Sequence, residues 1–189
     1  LSAQRFDVAF VTIKHIERQM LLHALGLSFD REPDLIKGDD RYWTGSLSST
    51  KAGRPLSFII TTVAEPKNNP CAAATTRLLN QFTVDVAILV GIAGGLTNRG
   101  IKIADCIIAN EIYYYHGERR EVGAGIPRHE RFVPPRPIMS DLQFYEPSIS
   151  HIDSFRSAAI QLPPQFLPES GIDPQLKPAV KHATIASGD

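Results

Sequence analysis

Three polar side chains gather where an apolar run ends: Lys14, His15 and Glu17 follow residues 6–13, FDVAFVTI. A junction between a strand and a helix is where α/β proteins commonly place ligands. Glu17 also has a plain structural reading, as a first-turn acid favoured by the helix dipole. A second candidate is the turn Gly91-Ile92-Ala93-Gly94-Gly95, directly after residues 84–90, VDVAILV. Glycines there let the chain turn sharply and let a ligand approach the main chain closely. A tight turn with no ligand fits the same residues. The turn has neither the Gly-x-Gly-x-x-Gly of dinucleotide folds nor the Gly-Lys-Ser/Thr of nucleotide hydrolases. Arg119, Arg120, Arg128, Arg131 and Arg136 form a third group, able to gather around a phosphate or to lie solvated on a loop. The six histidines show no paired metal-ligand spacing, so no metal is expected; no cofactor is expected either.

The elements that must hold these residues follow from hydrophobic periodicity. Residues 6–13 read as a β-strand. Apolar residues at 16, 20, 21, 24 and 25 then have helical spacing, and Gly26 supplies the stop. Residues 28–40 are charged and read as a loop. Residues 41–48 and 56–63 read as a hairpin. Residues 71–82 form an amphipathic helix with small residues on one side. The run 84–90 reads as a strand buried on both faces, and 106–115 as a further strand. Residues 117–137 are basic and rich in Pro and Gly, which reads as a surface excursion. A helix over 152–162 is expected before Pro163, Pro164, Pro168, Pro174 and Pro178 break the chain.

At 189 residues the chain can bury a substantial core. Twenty Lys and Arg balance twenty Asp and Glu, so no net field favours nucleic acid or an anionic membrane. No apolar run approaches the roughly 18 residues of a membrane helix, and no secretory signal opens the chain. Cys71 and Cys106 both lie in apolar sequence, which reads as buried thiols in a reducing, cytoplasmic compartment, with a Cys71–Cys106 disulfide as the less favoured alternative. The first residue is Leu1, which suggests trimming from a longer protein.

The order of residues carries a resemblance. Val90-Gly91-Ile92-Ala93-Gly94-Gly95-Leu96, then Gly100-Ile101-Lys102-Ile103-Ala104-Asp105 and Ala109-Asn110-Glu111, resemble the nucleoside phosphorylase superfamily. Within it the chain is most similar to the methylthioadenosine/adenosylhomocysteine nucleosidase-like branch. Val11-Thr12-Ile13-Lys14-His15-Ile16-Glu17 resembles that branch's opening motif, except that Lys14 and His15 replace an apolar residue and a proline. Residues 72–79, AAATTRLL, match its first long helix, and the closing IASGD resembles a strand leading to the purine.

The resemblance implies an α/β fold of three layers, α/β/α, with a mixed twisted central sheet, and one domain spanning residues 1–189 that is incomplete at its carboxyl end. It implies hydrolysis of the N-glycosidic bond of an adenine-type nucleoside or nucleotide, with Glu17 orienting the attacking water. It places substrate contacts on Ile13, Lys14, Pro66, Ile92, Ala93, Gly94 and Ser187. Lys14 and His15 then either meet a 5′ phosphate or stay solvated. Glu65-Pro66-Lys67 stands where the family has Gly-Met-Gly. The family's Met-Glu-x-Glu ribose clamp, and the Ser-Asp pair that follows it and protonates the base, are missing, so the acid is expected beyond Asp189. Leu89 and Ile92 stand where phosphorylases hold phosphate, which favours water over phosphate as nucleophile. A non-catalytic nucleoside-binding or oligomerisation module is the alternative, and a phosphorylase the weaker one. Self-association, and fusion to further domains, are expected from the family.

Overall fold

A computed structural model describes residues 3–49, 52–63, 65, 67–94, 100–102, 105–121, 124–142 and 179–187. They fall into two compact units, one ending at Ala93 and one beginning at Gly94.

In the first unit the β-branched and aromatic runs pair as a five-stranded mixed sheet, ordered β2-β3-β4-β1-β5. Strands β1 (Arg5–Thr12), β4 (Leu56–Thr62) and β5 (Thr83–Leu89) run parallel. Strands β2 (Leu35–Lys37) and β3 (Asp40–Leu47) add an antiparallel edge. Side chains alternate across β4, so each face meets its own helix. Phe58 and Ile60 join Trp43 and the Leu22 of α1 (His15–Ala24). Ile59 joins Tyr42, Phe82 and the Leu78 of α2 (Asn68–Gln81) on the opposite face. Each such buried aliphatic or aromatic side chain contributes about 1.5–3 kcal/mol. This unit therefore has the three α/β/α layers. Gly26 ends α1 with φ +75°, a left-handed conformation that glycine adopts freely. Gly45 stands opposite Phe58, and a Cβ there would come within 2.5 Å of the ring; the ring packs only because the side chain is missing.

In the second unit β6 (Cys106–Glu121) is central to a three-stranded mixed sheet, ordered β7-β6-β8. It pairs antiparallel with β7 (Ala124–Phe132) and parallel with β8 (Val180–Ser187). A short helix, α3 (Arg136–Leu142), follows β7. The Asp105 side chain, 1% exposed, fastens the start of this sheet. It accepts the main-chain N–H groups of Lys102 (2.9 Å) and Ala179 (3.0 Å) and pairs with Lys181 at 2.7 Å.

Four expectations change. Residues 117–137 are mostly strand, because β6 runs on to Glu121 and β7 returns beside it. Residues 28–40 include the short strand β2. Residues 84–90 are not buried on both faces: β5 is the edge of its sheet, and Leu89 is 57% exposed. Cys106 is exposed and Cys71 half-buried, and both are free thiols; burial pushes the Cys71 thiol up. The helix expected over 152–162 lies outside the described residues. Among the described residues no helix is long and apolar enough to cross a membrane.

Two aspartates tie stability to pH. Arg54 foremost, then the N–H and hydroxyl of Ser57, hold Asp7 well below the usual carboxylate range. Lys181 foremost, then the N–H groups of Lys102 and Ala179, lower Asp105 to about 2. A folded-state pKa below the unfolded one gives stability that is complete above the unfolded value, about 3.9, and lost as pH falls through the folded value. Urea midpoints should therefore hold steady above about pH 4 and fall from there towards pH 2. Asp105→Asn should lower stability at neutral pH and flatten that fall; an unchanged slope would exclude Asp105 from it.

Candidate active site

The candidate site lies in the first unit, at the carboxyl ends of its parallel strands. There β1 passes into α1 and β5 passes into the glycine turn. Lys14, in extended conformation, caps α1 and leaves Glu17 as the third residue of the helix. From that position a glutamate reaches back to the exposed N–H groups of the helix start. Glu17 Oε2 accepts the N–H of Ile13 at 2.9 Å and that of Lys14 at 2.8 Å. Its Oε1 accepts a third N–H, from Ile92 in the turn after β5, at 2.8 Å. The residue is 6% exposed, so its charge is compensated almost entirely by these three donors and the helix N-terminus.

Gly91 is what allows this contact. A Cβ at Gly91 would stand 3.1 Å from Glu17 Oε1 and 3.4 Å from its carboxyl carbon. Either the turn or the carboxylate would have to move. A carboxylate has about four acceptor positions, three of which are filled here. Among the described residues the one left is on Oε1, beside Ile92, and a water held there would have a fixed direction.

The structure thus brings together four of the residues singled out in the sequence: Ile13, Lys14, Glu17 and Ile92. The contacts of Ile13, Lys14 and Ile92 are through main-chain N–H groups, each already given to Glu17 rather than left for a ligand. The Lys14 side chain is exposed, as are Ile92, at 75%, and Ala93. Gly94 belongs to the second unit. Pro66 lies outside the described residues. Ser187 ends β8, where its backbone pairs with Tyr114; its side chain is outside the description. Just behind Glu17 the Thr12 hydroxyl meets that of Thr62 at 3.0 Å, joining the ends of β1 and β4.

Sequence reasoning missed Arg18 and Arg41. Arg18 lies over the Trp43 ring, 4.1 Å from its centroid, and meets His15 Nδ1 at 2.6 Å. Burial pushes its pKa down, and the nearby charge of Arg41 acts in the same direction. The pair Arg41 and Trp43 alternates on one face of β3, which was the only available signal. Among the described residues no group of three His, Cys, Asp or Glu could hold a metal ion.

A family model described as the phosphorylase superfamily matches residues 28–167. The chain belongs to that superfamily. It is 28% identical over 186 residues to ATP nucleosidase Cap17 of Escherichia coli strain KTE188, and equally so to the Escherichia coli protein of the same name. Each alignment covers 97% of this chain and 36% of the relative, so the chain spans about a third of their length. No solved structure matches it.

The close fit of Gly91 against Glu17 can be measured. Gly91→Ala should cost about 1–3 kcal/mol in urea denaturation, the range for overpacking. Glu17→Ala should cost at least about 2 kcal/mol, since three N–H groups lose their acceptor. A Gly91→Ala protein as stable as the parent would mean that the turn does not press on the carboxylate.

Proposed function

We propose that this chain forms part of a purine nucleosidase that hydrolyses the N-glycosidic bond of an adenine-type nucleotide or nucleoside. The observation that carries the reading is the Glu17 carboxylate, fixed at the strand ends by three main-chain donors with one acceptor position left. A water held at that position has its proton accepted by the carboxylate and its lone pair free to meet the anomeric carbon. The relatives of known name act on ATP, which supports an adenine nucleotide as the substrate class. The departing base takes its proton from an acid other than Glu17. The turn after β5 supports water over phosphate as nucleophile: Leu89 and Ile92 are apolar, and the Ile92 N–H is held by Glu17. Substrate contacts by Ile13, Lys14, Pro66, Ala93, Gly94 and Ser187, self-association, and placement in the cytoplasm belong to the same reading.

A non-catalytic nucleoside-binding module is the second reading. It is favoured by the same three hydrogen bonds, which give Glu17 a complete structural role without any reaction.

Release of free base from adenosine, AMP and ATP in phosphate-free buffer separates the two. The longest natural chain that carries this sequence should be used, with separation of products by chromatography. Adenine should appear without phosphate. Glu17→Gln should lower kcat at least about 100-fold, the scale of general acid–base effects, with its fold checked by circular dichroism. Base release that Glu17→Gln leaves intact would remove Glu17 from the chemistry. Release that requires phosphate would make the enzyme a phosphorylase.

A further inference from the structure

Beside the Glu17 site, on the α1 face of the sheet, lies a cleft of about 400 Å³ lined by His15, Arg18, Arg31, Arg41 and Trp43. Its place in the fold follows from strand register. Tyr42 faces Thr61 on β4, and Thr61 faces Val11 on β1. One residue before Tyr42, Arg41 is therefore level with Thr62 and Thr12, at the strand ends where β1 enters α1. Three strand spacings, about 14 Å, separate the end of β3 from the end of β5, where Ile92 meets Glu17.

The walls of the cleft are fixed. The Trp43 indole N–H donates to the Arg31 carbonyl at 2.7 Å. Arg31 pairs with Asp34 at 2.8 Å, and the other Asp34 oxygen accepts the Thr44 N–H at 2.7 Å. Arg18 is held over the Trp43 ring and by His15, so its donors have set directions. Its Nε is buried and has no hydrogen-bond partner among the described residues. Neither Arg18 nor Arg41 makes an ion pair among the described residues. Asp30 and Glu32 also line the cleft; both are exposed, and Glu32 favours the charged form of Arg18. Attraction here therefore comes from guanidinium donors with fixed geometry rather than from net charge. An oxyanion in the cleft would accept from the Arg18 and Arg41 guanidinium groups that line it and neutralise two like charges that face one space.

We propose that this cleft binds the phosphate groups of the substrate, so that the site takes nucleotides in preference to uncharged nucleosides. The inference rests on the nucleosidase reading for the identity of the substrate. The anion cleft itself rests on Arg18, Arg41 and His15.

Two measurements on the same protein keep the two ideas apart. The first is the ratio of kcat/KM for ATP to that for adenosine, in the parent protein and in Arg41→Gln. Arg41 is exposed on β3, so the substitution leaves the core untouched. The ratio should exceed one in the parent and fall about tenfold to a hundredfold in the variant, the scale of one or two charged hydrogen bonds. An unchanged ratio, or an equal loss on both substrates, would overturn the proposal. The second is calorimetric titration with inorganic tripolyphosphate. Its affinity should fall about tenfold or more in Arg41→Gln and Arg18→Lys, and stay unchanged in Arg5→Gln, which removes one exposed positive charge elsewhere on the sheet. If no nucleoside or nucleotide releases base, this titration decides alone. Binding lost with Arg41 would keep the anion cleft and sink the hydrolase reading, whereas binding indifferent to Arg41 would sink the cleft.

Discussion

The Glu17 carboxylate is the contact on which the rest of the first unit's strand-end architecture depends. It ties two separate stretches of main chain: Ile13-Lys14, between β1 and α1, and Ile92 in the turn after β5. A carboxylate suits the position, because all three partners are donors and a glutamine would turn an N–H₂ group towards one of them. The cost of burying the charge is offset by charge-assisted hydrogen bonds and by the helix N-terminus. The same contact explains Gly91, since any side chain there would meet the carboxylate. Two features of the sequence that look independent, a glutamate near residue 17 and a glycine near residue 91, are two halves of one interaction.

Much of the first unit could be read from the sequence because its elements have clean periods. The strands β1, β3 and β4 and the helices α1 and α2 all lie within a few residues of where the apolar pattern puts them. The second unit was harder. Residues 117–137 have the composition of a loop, yet they include the end of β6 and all of β7. Pro127 is accommodated because β7 is an edge strand, where a missing N–H costs no ladder bond on the open side. The pairing of β6 with β7 also shifts register between Tyr114 and Gly117, an irregularity that breaks the alternation a reader looks for. The run 84–90 failed in the opposite direction. Its apolar residues look like those of a central strand, but burial depends on neighbours that the run itself does not encode.

The site was legible in part for a related reason. Glu17 and the glycine turn belong to contiguous motifs, so a resemblance could find them. The Arg18–Trp43–Arg41 arrangement belongs to no motif. It is assembled from a helix and a strand brought level by the pairing of β3 with β4 and of β4 with β1. Arg18 and Arg41 are 23 residues apart, and nothing in that spacing announces a contact.

These two halves of the strand-end edge differ in what they leave open. At Glu17 nearly every donor and acceptor is paired within the protein, which makes the carboxylate rigid and leaves one direction for a water. At Arg18 the guanidinium is oriented by Trp43 and His15, and its Nε has no partner among the described residues. A rigid acceptor suits a group that must aim a small nucleophile, because misalignment of a reacting atom by even 1 Å is costly. An unsatisfied, preorientated donor suits a group that binds, because a ligand gains from satisfying it. The parallel strands β1, β4 and β5 all end on this edge, so the loops that carry both kinds of group converge there as a consequence of topology. Division of labour along one sheet edge then needs no special scaffold beyond the strand order itself.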